Sequence, residues 1–148
     1  MDLFCERIIE MRKECGLTQN FIAKELNINE SAYQKYEYGM TRPKLSSLCK
    51  LAEIFHISLD YLCGRTDKKI YVYTLFPKDI VTPLVTAIKE TRRIRNLTQE
   101  EVACILSLST SGYQKYEIYE ITPPFDKLIK IADLFGLSLD ESLGRKEK

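Results

Sequence analysis

Tryptophan is absent from this chain, histidine occurs once, at His56, and glycine only six times in 148 residues. The five cysteines (Cys5, Cys15, Cys49, Cys63 and Cys104) contain no C-x-x-C pair. With one imidazole and an odd number of thiols, neither a zinc ligand set nor a closed disulfide framework is available. The cysteines therefore read as reduced core or surface thiols. A glycine-rich phosphate loop, a nucleophile elbow and paired metal ligands are missing as well. The sequence predicts no catalytic residue, no metal and no cofactor, and His56, at the end of an apolar helical stretch, reads as structural.

Long apolar runs are also lacking: no stretch of about 18 residues could cross a membrane. The start "MDLFCERIIEMRK" carries an acid at position 2 and charges every few residues, unlike the basic start and apolar run of a signal peptide. A chain without membrane contact, in the cytoplasm, is expected. A strong charge of one sign is missing too. The net charge is +1, with 10 basic against 10 acidic residues in 1–68 and 12 against 11 in 69–148. That excludes an overall basic nucleic-acid binder and leaves room for a local basic patch.

What is present is a repeat. "YQKYE" stands at 33–37 and again at 113–117, and residues 5–68 laid over 85–148 without a gap agree at 25 of 64 positions. Two units are too few for a solenoid, so each must be a small domain with its own core, and units of this size fold alone. The boundaries read as domain 1 over 1–66, a linker over 67–81 and domain 2 over 82–148.

Helical spacing and capping residues predict five helices per unit, an all-α bundle repeated in tandem. Asp2 caps a first helix over 3–15, with Leu3, Phe4, Ile8 and Met11 on one face. Thr18 caps a short second helix, Asn29 a third ending at Gly39, and Ser58 a short fifth. Leu45, Leu48, Leu51, Ala52 and Phe55 make the fourth amphipathic. In the second unit Thr98/Glu101 and Ser138/Glu141 have the spacing of capping boxes, and Thr82-Pro83 reads as an N-cap followed by proline at the first helical position. Between the units "IYVYTLF" (70–76) has strand character. Two readings stay open for it: an extended linker packing on one or both domains, or an edge that pairs with its copy in a homodimer.

The second helix, the turn "NIN" and the third helix have helix-turn-helix order. Leu17-Thr18-Gln19, Ala23, Leu26, Glu37-x-Gly39, Pro43, Leu48, Ala52, Ser58-Leu59-Asp60 and Leu62 together resemble the phage repressor and Cro family of bacterial regulators, also called XRE. The resemblance covers nearly the whole unit. It implies a five-helix bundle and a transcriptional regulator, a repressor in sense, whose partner is double-stranded DNA. It also implies a third helix in the major groove and a second helix that starts at a phosphate.

Carried over, Gln19 would meet the backbone, and Glu30, Ser31, Ala32, Gln34 and Lys35 would occupy the groove-facing part of the third helix. Arg42 and Lys44 would add positive charge near a phosphate. An amide such as Gln34 suits adenine and Lys35 suits guanine or a phosphate, although Lys35 taken alone also reads as a solvated residue. Lys24 and Glu25 read as solvated, and Tyr33 and Tyr36 as core packing or base stacking. The resemblance further implies a structural ion pair between Arg12 and Glu37, repeated as Arg92 and Glu117.

Unit 2 keeps Gln99, Ser111, Gln114 and Lys115, with Thr110 and Gly112 beside them, but its loop departs: Tyr119, Glu120, Thr122 and Pro124 replace Gly39, Met40, Arg42 and Lys44. The loop loses two cations and gains an acid. Two histories fit, a half-site bound more weakly or a surface turned toward a protein partner. The competing function is accordingly a protein-interaction module that controls another regulator.

Overall fold

In the computed structural model, which describes residues 2–146, the chain divides into two compact units, 2–75 and 76–146. Unit 1 holds α1 (Leu3–Glu14), α2 (Gln19–Glu25), α3 (Glu30–Tyr38), α4 (Leu45–Phe55) and α5 (Leu59–Leu62). Unit 2 repeats the order with α6 (Val81–Ile94), α7 (Gln99–Ile105), α8 (Thr110–Glu117), α9 (Phe125–Phe135) and α10 (Leu139–Ser142). The fold is all-helical, as the periodicity predicts. No helix among the described residues is long and apolar enough to cross a membrane.

Local capping chemistry sets most boundaries. The side chains of Asp2, Thr18, Asn29 and Ser58 accept the amides of Cys5, Phe21, Ala32 and Tyr61, satisfying donors that a helix start leaves unpaired. Thr98 and Glu101 form a reciprocal capping box, and Ser138 accepts the Glu141 amide at 3.3 Å. The start of α6 differs from the sequence reading. Thr82 is not its cap: α6 begins at Val81, and Asp79 Oδ1 accepts the amides of Val81 at 3.1 Å and Thr82 at 3.0 Å. Pro83 lies inside the first turn, where its missing N–H costs no intrahelical bond.

Each unit closes on its own apolar centre. Ile8 and Met11 of α1, Ile22 of α2, Tyr33 of α3, Leu48 and Leu51 of α4 and Leu59 and Leu62 of α5 are fully buried. In unit 2 the corresponding centre holds Ile88, Val102, Tyr113, Leu128, Ile131 and Leu139. Tyr33 and Tyr113 are thus core residues, and each stands edge-on to the tyrosine three positions later, Tyr36 or Tyr116, with centroids 6.1 and 6.0 Å apart. At roughly 1.5–3 kcal/mol per fully buried large side chain, these centres clamp the third helix of each unit in place.

The segment with strand character makes one antiparallel bridge, Tyr71 with Ile57. Ser58 donates to the Ile70 carbonyl and Val72 to the His56 carbonyl, both at 2.9 Å. Val72 is buried, and the Tyr73 ring lies 4.9 Å from that of His56. Lys69 adds ion pairs with Glu10 and Glu14 of α1. Arg7, itself buried, holds the chain leaving α5 through the carbonyls of Tyr61 and Thr66 and the Asp67 carboxylate. Within unit 2 the Arg145 guanidinium covers the Phe76 ring at 4.8 Å. Beside it a Cβ on Gly144, at φ +87, would lie 2.9 Å from Pro77 Cγ, so glycine is required there.

Candidate nucleic-acid interface

The turn joining α2 to α3 passes through Asn27 in the left-handed region (φ 61), and Ser107 does the same between α7 and α8 (φ 59). A short polar side chain tolerates this conformation better than a bulky one. Beyond the turn, α3 is sharply two-sided. Tyr33 and Glu37 face inward and are buried, whereas Glu30, Ser31 and Lys35 are exposed and Ala32 and Gln34 half-buried. On α8 the exposed set is Ser111, Gln114 and Lys115, with Thr110 and Gly112 half-buried.

A hydrogen-bonded chain of four side chains runs from the first helix to the outer side of the third. Arg12 donates to Glu37 through Nε at 2.7 Å and Nη2 at 3.2 Å, and to the Leu17 carbonyl at 3.2 Å. Gln19 Nε2 donates to Glu37 Oε1 at 2.9 Å, and Gln34 Nε2 donates to Gln19 Oε1 at 3.0 Å. Unit 2 builds the same chain: Arg92 to Glu117 at 2.6 and 3.0 Å, Gln99 to Glu117 at 2.9 Å and Gln114 to Gln99 at 3.0 Å. The sequence reading puts the Gln19 amide on the DNA backbone; here that amide is joined to both Glu37 and Gln34. Gln19 and Gln34 recur together as Gln99 and Gln114, and that joint recurrence is the sequence signal for the link.

Charge at the inner end of the chain is well compensated. Burial pushes the Glu37 and Glu117 carboxyls up, but hydrogen bonds from the arginine and glutamine, with the arginine charge, outweigh it and hold both below the ordinary glutamate value. Tyr113 donates to Glu117 Oε2 at 2.5 Å. The Tyr33 hydroxyl is buried beside Glu37 without a well-formed hydrogen bond. Burial first, and the adjacent carboxylate second, push both phenols well up.

Two cations of the loop after α3 have different settings. Lys44 is exposed at the N-cap of α4, a position with no side-chain cap. Arg42 turns back onto α1, pairing with the Asp2 carboxylate and lying 5.7 Å from the Phe4 ring centroid. The Asp2 carboxyl is held at about 2, chiefly by the hydrogen bond from Arg42. Asp2 and Arg42 change together in the repeat, to Thr82 and Thr122, which is the sequence signal for this contact. In unit 2 Arg95 donates to the carbonyls of Leu134 and Phe135 at the end of α9. The loop after α8 exposes Ile118, Tyr119 and Ile121.

A helix-turn-helix family model (HTH_3) matches residues 8–62 and again 88–142. The chain is similar to the cryptic phage CTXphi transcriptional repressor RstR of Vibrio cholerae serotype O1, 42% identical over 60 residues, covering 40% of this chain and 54% of that protein. It is also 38% identical over 64 residues to the HTH-type transcriptional regulator AnsR of Bacillus subtilis, covering 43% of this chain and 55% of that protein. With the HTH-type transcriptional regulator ImmR of the same organism it shares 34% over 62 residues, 42% of this chain and 49% of that protein. The chain thus spans about half the length of the curated relatives it matches. No solved structure matches it. By two matches that together take in more than half of its length, the chain belongs to the helix-turn-helix family.

Proposed function

We propose that the chain is a sequence-specific transcriptional regulator, a repressor in sense, whose two units, 1–66 and 82–148, are DNA-binding domains presenting α3 and α8 to the major groove of double-stranded DNA. The observation that carries this reading is the side-chain chain built twice, Arg12–Glu37–Gln19–Gln34 and Arg92–Glu117–Gln99–Gln114. Gln34 spends one amide hydrogen on Gln19 and keeps a second, together with the acceptor Oε1. That remaining donor and acceptor are what the N7 and N6 edge of adenine requires. A long side chain already held in place loses less freedom when it binds.

Around Gln34, Glu30, Ser31, Ala32 and Lys35 form the surface that meets base edges, and Lys44 beside the uncapped start of α4 supplies a phosphate contact. Arg42 joins it once released from Asp2. Thr110, Ser111, Gln114 and Lys115 play the corresponding parts in unit 2. Selection of bound sequences from a random duplex pool, repeated with Gln34→Ala and Gln114→Ala, tests the reading. Each substitution should relax preference at one position of its half-site. A wild-type chain with no salt-dependent affinity for any duplex would refute it.

A second reading, a module that controls another regulator by pairing with it, is favoured by one observation. In unit 2 the loop after α8 exposes Ile118, Tyr119 and Ile121 in place of a cationic surface. Under that reading Gln114→Ala leaves DNA affinity unchanged.

A further inference from the structure

Residue for residue in the repeat, Ser47 of α4 corresponds to Lys127 of α9, and Leu26 to Leu106. Lys127 Nζ donates to the Leu106 carbonyl at 2.5 Å. This places an ammonium on the C-terminal end of α7, where the helix dipole and an unpaired carbonyl both favour a cation. Unit 1 has the same helix end without the lysine. Ser47 is too short to reach across, and among the described residues no donor meets the Leu26 carbonyl. The space that the lysine fills in unit 2 is open in unit 1 as a cleft of about 220 Å³.

Two segments of opposite character line this cleft. Glu25, Leu26 and Asn27 come from the end of α2 and the turn after it. Lys44, Ser46, Ser47 and Lys50 come from the N-cap and first half of α4, whose N-cap makes no side-chain hydrogen bond. Ser47 is 6% exposed, lines the cleft, and among the described residues its hydroxyl has no hydrogen-bond partner. A serine hydroxyl with no protein partner on an open polar cleft can donate to or accept from a bound group. A simple amine would meet repulsion from the two lysines, and a simple anion would leave the Leu26 carbonyl unmatched and approach Glu25.

We propose that this cleft binds a small zwitterion, with a primary ammonium at the Leu26 carbonyl and a carboxylate at the start of α4, which is the chemistry of an ω-amino acid whose two charged groups are several carbons apart. The length required is that of a lysine side chain, because Lys127 spans the same distance in unit 2. The inference shares only Lys44 with the proposed DNA contact and does not depend on it.

The probe is 5-aminopentanoate, a four-carbon chain with an ammonium at one end and a carboxylate at the other, added to the ¹⁵N-labelled full chain without DNA. Butylammonium and pentanoate at matched ionic strength are the half-ligands. Saturable shifts of the Asn27, Ser46 and Ser47 amides are expected at millimolar concentration, several-fold weaker for either half-ligand and lost in Ser47→Lys. Should Ser47→Lys fail to fold, Lys50→Gln replaces it and should bring 5-aminopentanoate down to the level of butylammonium. Pentanoate binding as well as 5-aminopentanoate would make this an anion site only and overturn the assignment. So would the absence of saturable shifts, or binding unchanged in both variants.

Discussion

Arg12 and Glu37 meet fork to fork, with two nitrogens of one guanidinium on two oxygens of one carboxylate at 2.7 and 3.2 Å and the carboxylate side chain 3% exposed. The pair ties α1 to α3 across 25 residues of sequence. Removing one member of a buried pair leaves the other charged and unmatched, which costs about 3–5 kcal/mol. Glu37→Ala is therefore expected to destabilise unit 1, and Glu117→Ala unit 2, by about that amount in urea unfolding followed by circular dichroism. An unfolding curve that does not move would show the pair to be dispensable.

Acid should attack the same place. Glu37 and Glu117 titrate below the ordinary glutamate value in the folded chain, so the unfolded state binds protons first. Their contribution is complete above the unfolded value of about 4.3 and is lost as pH falls through the lower, folded value. The melting temperature should hold between neutral pH and about pH 5 and then decline. The doubly substituted Glu37→Gln/Glu117→Gln chain, less stable at neutral pH, should show a shallower decline. An equally steep decline in that variant would place the acid sensitivity elsewhere.

The position after the third helix offers a test of backbone strain. Gly39 occupies the left-handed region at φ 76, and Tyr119 occupies the equivalent position at φ 65. That conformation costs a residue with a Cβ roughly 1–2 kcal/mol, and Tyr119 is exposed, so its ring recovers little of this. Tyr119→Gly is expected to stabilise unit 2 by about 1 kcal/mol. Gly39→Ala should cost unit 1 a similar amount, since its new Cβ would sit at an ordinary 3.4 Å from Cys5 Sγ and strain alone would act. A loss of stability on Tyr119→Gly would mean that the ring is worth more than the strain.

Under the proposed function, Asp2 competes with DNA for Arg42. Asp2→Asn keeps a good N-cap for α1 but removes the charge that holds the guanidinium on α1. Under the proposed function this variant should bind duplex DNA more tightly, with a salt slope steeper by about 1. Lys44→Ala should lower the slope by about the same amount. An Asp2→Asn chain with unchanged affinity and slope would keep Arg42 out of the interface.

One chain or two on a site is decided by footprint. The starts of the helices differ, Glu30-Ser31-Ala32 in α3 and Thr110-Ser111-Gly112 in α8, so a single chain covering both half-sites should choose an asymmetric sequence. Dimers of this kind engage half-sites about 34 Å apart. Sedimentation of the free protein and footprinting of a Gln99→Ala/Lys115→Ala variant discriminate. A monomer whose protection shrinks to one half-site fits two domains of one chain, whereas a dimer with unchanged protection fits a palindrome read by unit 1 alone.

The helices were legible in the sequence because their signals are local. Asp2, Thr18, Asn29 and Ser58 reach amides three residues away, and the apolar positions repeat within two turns. Where two caps compete over a few residues, as Asp79 and Thr82 do before α6, local chemistry is ambiguous and packing chooses. The sequence alone determined the duplication, the five-helix unit, and the polar composition of the third helix's outer face. Only the tertiary structure decided which of those polar groups already have partners. Gln19 meets Gln34 across 15 residues and Arg42 meets Asp2 across 40, and Ser47 leaves open the space that Lys127 closes. A hydrogen bond depends on separation in space, and that separation is set by how the helices pack, with α1 and α2 lying against α3.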